Sequence, residues 1–122
     1  MTKGEAIEKA HQYRPNHKAE DSDIIRWLNE VDSRIQTDIY DAYFIPKRYI
    51  PYTIGSPTSA PLLAEPGFER MYNDYLCASI DMLQGDYERY NESIARFNNA
   101  FEEYSGYIAR THLPKHRHVR YF

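Results

Sequence analysis

An all-α fold, a small helical bundle of about four helices with a long Pro-rich loop, is the class this sequence predicts. Apolar residues recur at steps of three and four along the longer segments, capping or helix-starting residues stand at their heads, and a Gly-Asp pair joins two strong helical patterns as a tight turn. A chain of 122 residues buries one modest core and not two. Residues 1–114 therefore read as one helical-bundle domain with a loop over about 44–65, and residues 115–122 as a flexible basic C-terminal tail.

The first helix is signalled by Thr2 and Glu5, whose spacing is that of a capping box in which each side chain satisfies a backbone amide. Ala6, Ile7 and Ala10 follow as a short apolar face, and Arg14-Pro15-Asn16 ends it because proline lacks the amide and restricts its predecessor. A second helix, capped by Asp21, Ser22 or Asp23, runs to about Tyr43 on Ile24, Leu28, Val31, Ile35, Ile39 and Ala42, with Trp27 just off that stripe, either widening the buried face or standing at its rim.

From Phe44 to Glu65 the helical pattern fails, and Pro46, Pro51, Pro57 and Pro61 interleave with Gly55 and small polar residues. Loops this long are functional or disordered, and Tyr49, Ile50, Tyr52, Ile54, Leu62 and Leu63 make this one too apolar for a solvated linker. A short hairpin fits within it. The third helix starts at about Pro66 and places Phe68, Tyr72, Tyr75, Ser79 and Met82 on one face, with Met71, Leu76 and Leu83 broadening it. Gly85 stops it by taking the left-handed conformation, and Asp86 caps the next. The fourth helix carries the clearest seam, Tyr87, Tyr90, Ile94, Phe97, Phe101, Tyr104 and Ile108, expected to be buried against the second helix until Leu113-Pro114 ends it.

Composition narrows the function classes. With 42% apolar and 27% charged residues and a mean hydropathy of −0.76, the chain belongs with soluble globular proteins rather than membrane-embedded ones. Its start lacks the apolar run of a secretory signal, so synthesis and folding in a cytoplasm are expected. Cys77 lies within an apolar helical pattern and reads as a small buried residue without a redox role. The net charge is −3, yet residues 110–122 contribute +4, so the preceding body carries −7. A basic end on an acidic body is a solvated terminus or a segment that docks on an acidic partner or on phosphate.

No Gly-rich phosphate loop, Cys-x-x-Cys pair, His-Glu-x-x-His or Gly-x-Ser-x-Gly occurs, so no catalytic residues and no cofactor are expected and the chain reads as a non-enzyme. Glu8, Glu20, Glu30, Glu69, Glu88 and Glu102 sit on outer helix faces as solvated surfaces require. His112, His116 and His118 resemble a metal-binding spacing but lack an acidic or cysteine partner, so no metal site is assigned. Twelve tyrosines are the main oddity of composition. Tyr87, Tyr90 and Tyr104 lie on the seam and are expected to pack internally. Tyr40, Tyr49, Tyr52 and Tyr107 lie off the seams and are candidates for an interface, where tyrosine is favoured because its ring is apolar and its hydroxyl tolerates water. The candidate partner-binding set is Tyr49, Tyr52, Tyr107, Arg110, Lys115, Arg117, Arg120, Tyr121 and Phe122; its cationic and aromatic tail suits phosphate and bases or a pocketed protein partner.

The run Met71-Tyr72-Asn73-Asp74-Tyr75-Leu76, then Ile80-Asp81, Gly85-Asp86-Tyr87-Glu88-Arg89-Tyr90-Asn91, Phe97-Asn98 and Arg110-Thr111-His112-Leu113-Pro114-Lys115 resembles the C-terminal half of head-tail connector (adaptor) proteins of long-tailed bacteriophages. Ile7, the Arg14-Pro15-Asn16 turn and the Trp27-Leu28 helix are similarly placed, while the middle loop matches poorly. The resemblance implies a virion protein, assembled in the host cytoplasm, that forms a homo-oligomeric ring, typically a dodecamer. That ring docks on the portal protein, extends the channel for double-stranded DNA without reading its sequence, and presents a surface to the next neck, stopper or tail protein; no membrane is involved. An acidic body suits such a channel, since a basic lumen would hold the phosphate backbone. The alternative is a helical DNA-binding regulatory protein. It asks for cations and amides grouped on one helix face, whereas Asn91, Asn98 and Asn99 of the fourth helix are ringed by Glu88, Glu92, Glu102 and Glu103.

Overall fold

The computed structural model describes residues 1–115 and is mainly helical, with four α-helices and, among the described residues, no strand. Helix α1 spans Lys3–Tyr13 and opens on the capping box, with the Thr2 hydroxyl accepting from the Glu5 amide at 3.2 Å and the Glu5 carboxylate accepting from the Thr2 amide at 3.0 Å. The chain then turns through Asn16, which has a left-handed φ of 62°. Helix α2 spans Asp21–Arg34. Its N-cap is Glu20, not one of the three residues expected, because the Asp23 carboxylate reaches back to the Glu20 amide at 3.1 Å.

Beyond Arg34 the second helix does not continue as an α-helix to Tyr43, as the apolar spacing had it. It widens into a π-helical turn over Ile35–Ile39 and tightens into a 3-10 turn over Tyr40–Ala42. The Thr37 hydroxyl donates to the Ser33 carbonyl at 3.0 Å, a local bond of the kind that disturbs the regular ladder. The irregular turns still bury Ile35, Gln36, Ile39 and Tyr40.

Helix α3 spans Arg70–Leu83 and starts four residues after Pro66, since Gly67 at φ +100° interrupts the helical path and leaves Phe68 in the preceding turn. It is the central helix and packs on α1, α2 and helix α4, Tyr87–Thr111. Its buried face consequently centres on Met71, Tyr72, Leu76 and Ile80, while Met82 and Leu83, expected inside, are exposed at its end. Gly85 adopts φ +77° and the Asp86 carboxylate caps α4 by accepting from the Arg89 amide at 3.2 Å, so α3 and α4 form the antiparallel hairpin the sequence predicts.

The α4 seam is buried from Phe97 through Phe101 and Tyr104 to Ile108, but its partner is α3 rather than α2. The second helix contributes Arg34, whose guanidinium lies 5.4 Å from the Phe97 ring centre and 4.6 Å from that of Phe101. At the other end α4 runs past the core: Tyr90 and Ile94 are half-buried and Tyr87 is 63% exposed, contrary to its place on the seam. A paired arginine closes the bundle. Arg14, just past α1, holds the buried Asp81 of α3 through Nε at 2.8 Å and through Nη2 at 2.9 Å, with Ser93 of α4 beside them.

Candidate functional site

Residues 44–69 form no helix or hairpin, yet much of this stretch is fixed by side chains of the helices. The sequence places Asn29, Asp32 and Gln36 on α2 and its π extension at steps of three and four, beside the apolar stripe. That polar line faces the loop. Asn29 Oδ1 accepts from the Tyr52 amide and from the Tyr49 hydroxyl, each at 2.8 Å, while its Nδ2 donates to the Tyr52 carbonyl at 3.0 Å. Gln36 Oε1 accepts from the Tyr49 amide at 2.8 Å.

At the centre Asp32 is fully buried. Its Oδ2 accepts from the Tyr52 hydroxyl at 2.6 Å and from the Leu63 amide at 3.2 Å, and its Oδ1 accepts from the Tyr72 hydroxyl at 2.6 Å. Consecutive loop amides are thereby captured in turn: Leu63 by Asp32, Ala64 by the Tyr72 hydroxyl at 2.8 Å and Glu65 by the Tyr104 hydroxyl at 3.2 Å. The Tyr40 hydroxyl donates to the Leu63 carbonyl at 3.0 Å and meets that of Tyr104. The amides of Leu63, Ala64 and Glu65 are thus met by side chains of α2, α3 and α4 instead of by a sheet.

Burial pushes the Asp32 carboxyl above the usual range, and the bonds from Tyr52, Tyr72 and Leu63 pull it back only in part. Burial raises the phenols of Tyr40, Tyr52 and Tyr72 as well, and the Asp32 charge adds to the rise. These phenols therefore remain donors across ordinary pH.

The N-terminal half of α1 holds the loop from the other side. Lys3 is buried, and its Nζ donates to the carbonyls of Ser56 at 2.7 Å and Thr53 at 2.9 Å. Gly4 allows the approach: a Cβ there would lie 2.9 Å from Thr58 Cβ and 3.0 Å from its carbonyl oxygen. Lys47 Nζ donates to the Leu62 carbonyl at 3.1 Å.

This fixed loop leaves several apolar groups outside beside its polar ones. Phe44, Ile50 and Ile54 are exposed by 63%, 75% and 68%, and a hollow of about 410 Å³ opens among Lys47, Arg48, Ile50, Pro51, Pro57 and Pro61. A second exposed group, Met82, Leu83 and Tyr87, stands at the α3–α4 turn.

The structure changes the candidate set. Tyr52, an interface candidate by its place in the sequence, is a core residue at 9% exposure with its hydroxyl on Asp32, and Tyr40 is likewise buried. Tyr49 is half-buried, bonded to Asn29, and Tyr107 is half-buried against Phe68 and Tyr104. Arg110 and Lys115 are exposed, and the Lys115 amide donates to the Ala42 carbonyl at 2.9 Å, which ties the first tail residue to the end of the second helical segment. Arg117, Arg120, Tyr121 and Phe122 lie outside the described residues, as do His116, His118 and the expected flexibility of the tail. Sequence reasoning passed over Asn29, Asp32, Gln36 and Lys3, although the helical spacing of the first three was a visible signal.

Among the described residues no group of three or more His, Cys, Asp or Glu side chains is placed to hold a metal ion, and no helix is long and apolar enough to cross a membrane. Comparison with protein-family models, curated proteins and solved structures found no match to the chain.

Proposed function

We propose that the chain is a structural assembly subunit, a head-tail connector that forms a ring on a phage portal. The observation that carries this reading is the division of labour within the loop. Its root is held by buried hydrogen bonds while Ile50 and Ile54 are held outward, an arrangement suited to a contact surface. The resemblance of the C-terminal half to connector proteins supplies the kind of assembly. Exposed Arg110 and Lys115, at the end of α4, fit a docking role toward an acidic portal surface. The α4 outer face, with Glu88, Glu92, Glu102 and Glu103 all exposed, disfavours phosphate and so the regulatory alternative.

Negative-stain microscopy of the protein with and without its portal tests the proposal. Rings coaxial with the portal are expected in the mixture. A chain that leaves the portal bare at saturating concentration would contradict it.

A further inference from the structure

Six of the eight large apolar side chains that are exposed among the described residues fall in two segments: Phe44, Ile50 and Ile54 in the loop, and Met82, Leu83 and Tyr87 at the α3–α4 turn. Single exposed apolar residues are ordinary, but such concentration in rigid segments marks contact surfaces. The two differ in charge. Residues 44–64 hold Lys47 and Arg48 and no acid, with Arg48 62% exposed beside Asp41 at 3.8 Å, whereas residues 82–92 hold Asp86, Glu88 and Glu92 against Arg89.

The loop offers a concave hollow rimmed by Arg48, Ile50, Pro51 and Pro57, and at the hairpin turn Leu83 is 53% and Tyr87 63% exposed. A pair of unlike apolar patches on one chain, opposite in charge, is what a head-to-tail contact between identical subunits requires.

We propose that the α3–α4 turn of one copy docks in the loop hollow of the next, an inference that rests on the assembly reading above and names its subunit contact. Tyr87 and Leu83 enter among Ile50, Pro51 and Pro57, and Glu88 faces Arg48. Both patches are prepared in the monomer. The hollow is rigid because Asn29 and Gln36 fix Tyr49 and Tyr52 behind it, and the turn is rigid through Gly85 and the Asp86 cap.

Charge exchange tests the contact in trans. Arg48 and Glu88 are both exposed, and Arg48 gives up only an exposed pair with Asp41 at 3.8 Å, so Arg48→Glu and Glu88→Arg leave the fold intact, which circular dichroism melts verify. Light scattering over a concentration series should show self-association of the parent chain, and each variant alone should need at least about tenfold more protein for the same association. An equimolar mixture of the two variants should recover it. The acid introduced in the hollow of one variant then meets the base introduced on the turn of the other, and the native Arg48 of the second meets the native Glu88 of the first. The doubly substituted chain should recover association as well.

A parent chain that stays monomeric at its highest soluble concentration overturns the contact, as do variants that associate like the parent or a mixture no better than its components. The connector reading is separable from this result. Rings that form on the portal equally well from either variant discard the contact and leave the connector in place, whereas charge-exchange rescue without portal rings supports the contact and discards the connector.

Discussion

The α3–α4 hairpin and the loop of residues 44–65 are both fixed, but by opposite means. The hairpin is held by aromatic and aliphatic packing: Phe97 lies 4.8 Å from Tyr75 and 5.7 Å from Phe101 between ring centres, and a tight turn keeps the two helices local. The loop is held by polar groups far away in sequence, such as Asp32 on Leu63 and Tyr104 on Glu65. Apolar packing tolerates drift and writes itself into a local period. Polar anchoring demands matched donors and acceptors, and it fails when one of them is removed.

The largest loss of stability comes from the hairpin. Phe97 is fully buried, so Phe97→Ala should lower stability by about 3–5 kcal/mol in denaturant titration, with the whole chain unfolding in one earlier transition. Parent-like stability would mean that the seam does not bear the core.

Asp32→Ala comes next, at about 3 kcal/mol, because the Tyr72 phenol and the Leu63 amide lose their acceptor in the interior and the Tyr52 phenol keeps only the Pro61 carbonyl at 3.1 Å. Its signature should be local: limited proteolysis within residues 44–65 well before the hairpin is cut. Asp32→Asn keeps the shape and one acceptor and should cost about 1–2 kcal/mol. Equal proteolysis of loop and hairpin in Asp32→Ala would erase the distinction between the two regions.

The smallest effect is on pH dependence. Burial raises the native Asp32 carboxyl above its unfolded value, so the folded chain holds that proton more tightly. The resulting stability is fully present below the ordinary carboxylate range and is lost as pH rises through the raised native value. Denaturant titrations at a series of pH values should therefore show the parent gaining on Asp32→Asn as the pH is lowered through that window. A difference independent of pH would contradict a buried, titrating Asp32.

The difference also explains what the sequence made legible. Helix α1, the Gly85-Asp86 turn and the long seam of α4 were readable because caps, glycine and apolar period act within a few residues. The partner of that seam was misplaced, since periodicity shows that a face is buried without showing against what. The interior positions of Tyr40 and Tyr52 were missed for a related reason: the acceptors of their hydroxyls, Leu63 and Asp32, lie more than a helix away in sequence. Gly67 delayed α3 although the apolar pattern begins at Phe68, because backbone conformation overrode the period. Of the candidate site, the apolar character of the loop was visible and its anchoring was not.

Native-state hydrogen exchange, followed residue by residue in the parent and in Asp32→Ala, most directly tests the claim that the loop is a rigid platform anchored through Asp32. In the parent, the amides of Tyr52, Leu63, Ala64 and Glu65 should exchange as slowly as those of the α3–α4 hairpin, and in Asp32→Ala they should become fast while the hairpin stays protected. Loop amides that exchange freely in the parent, or that slow and quicken together with the hairpin in the variant, would contradict it.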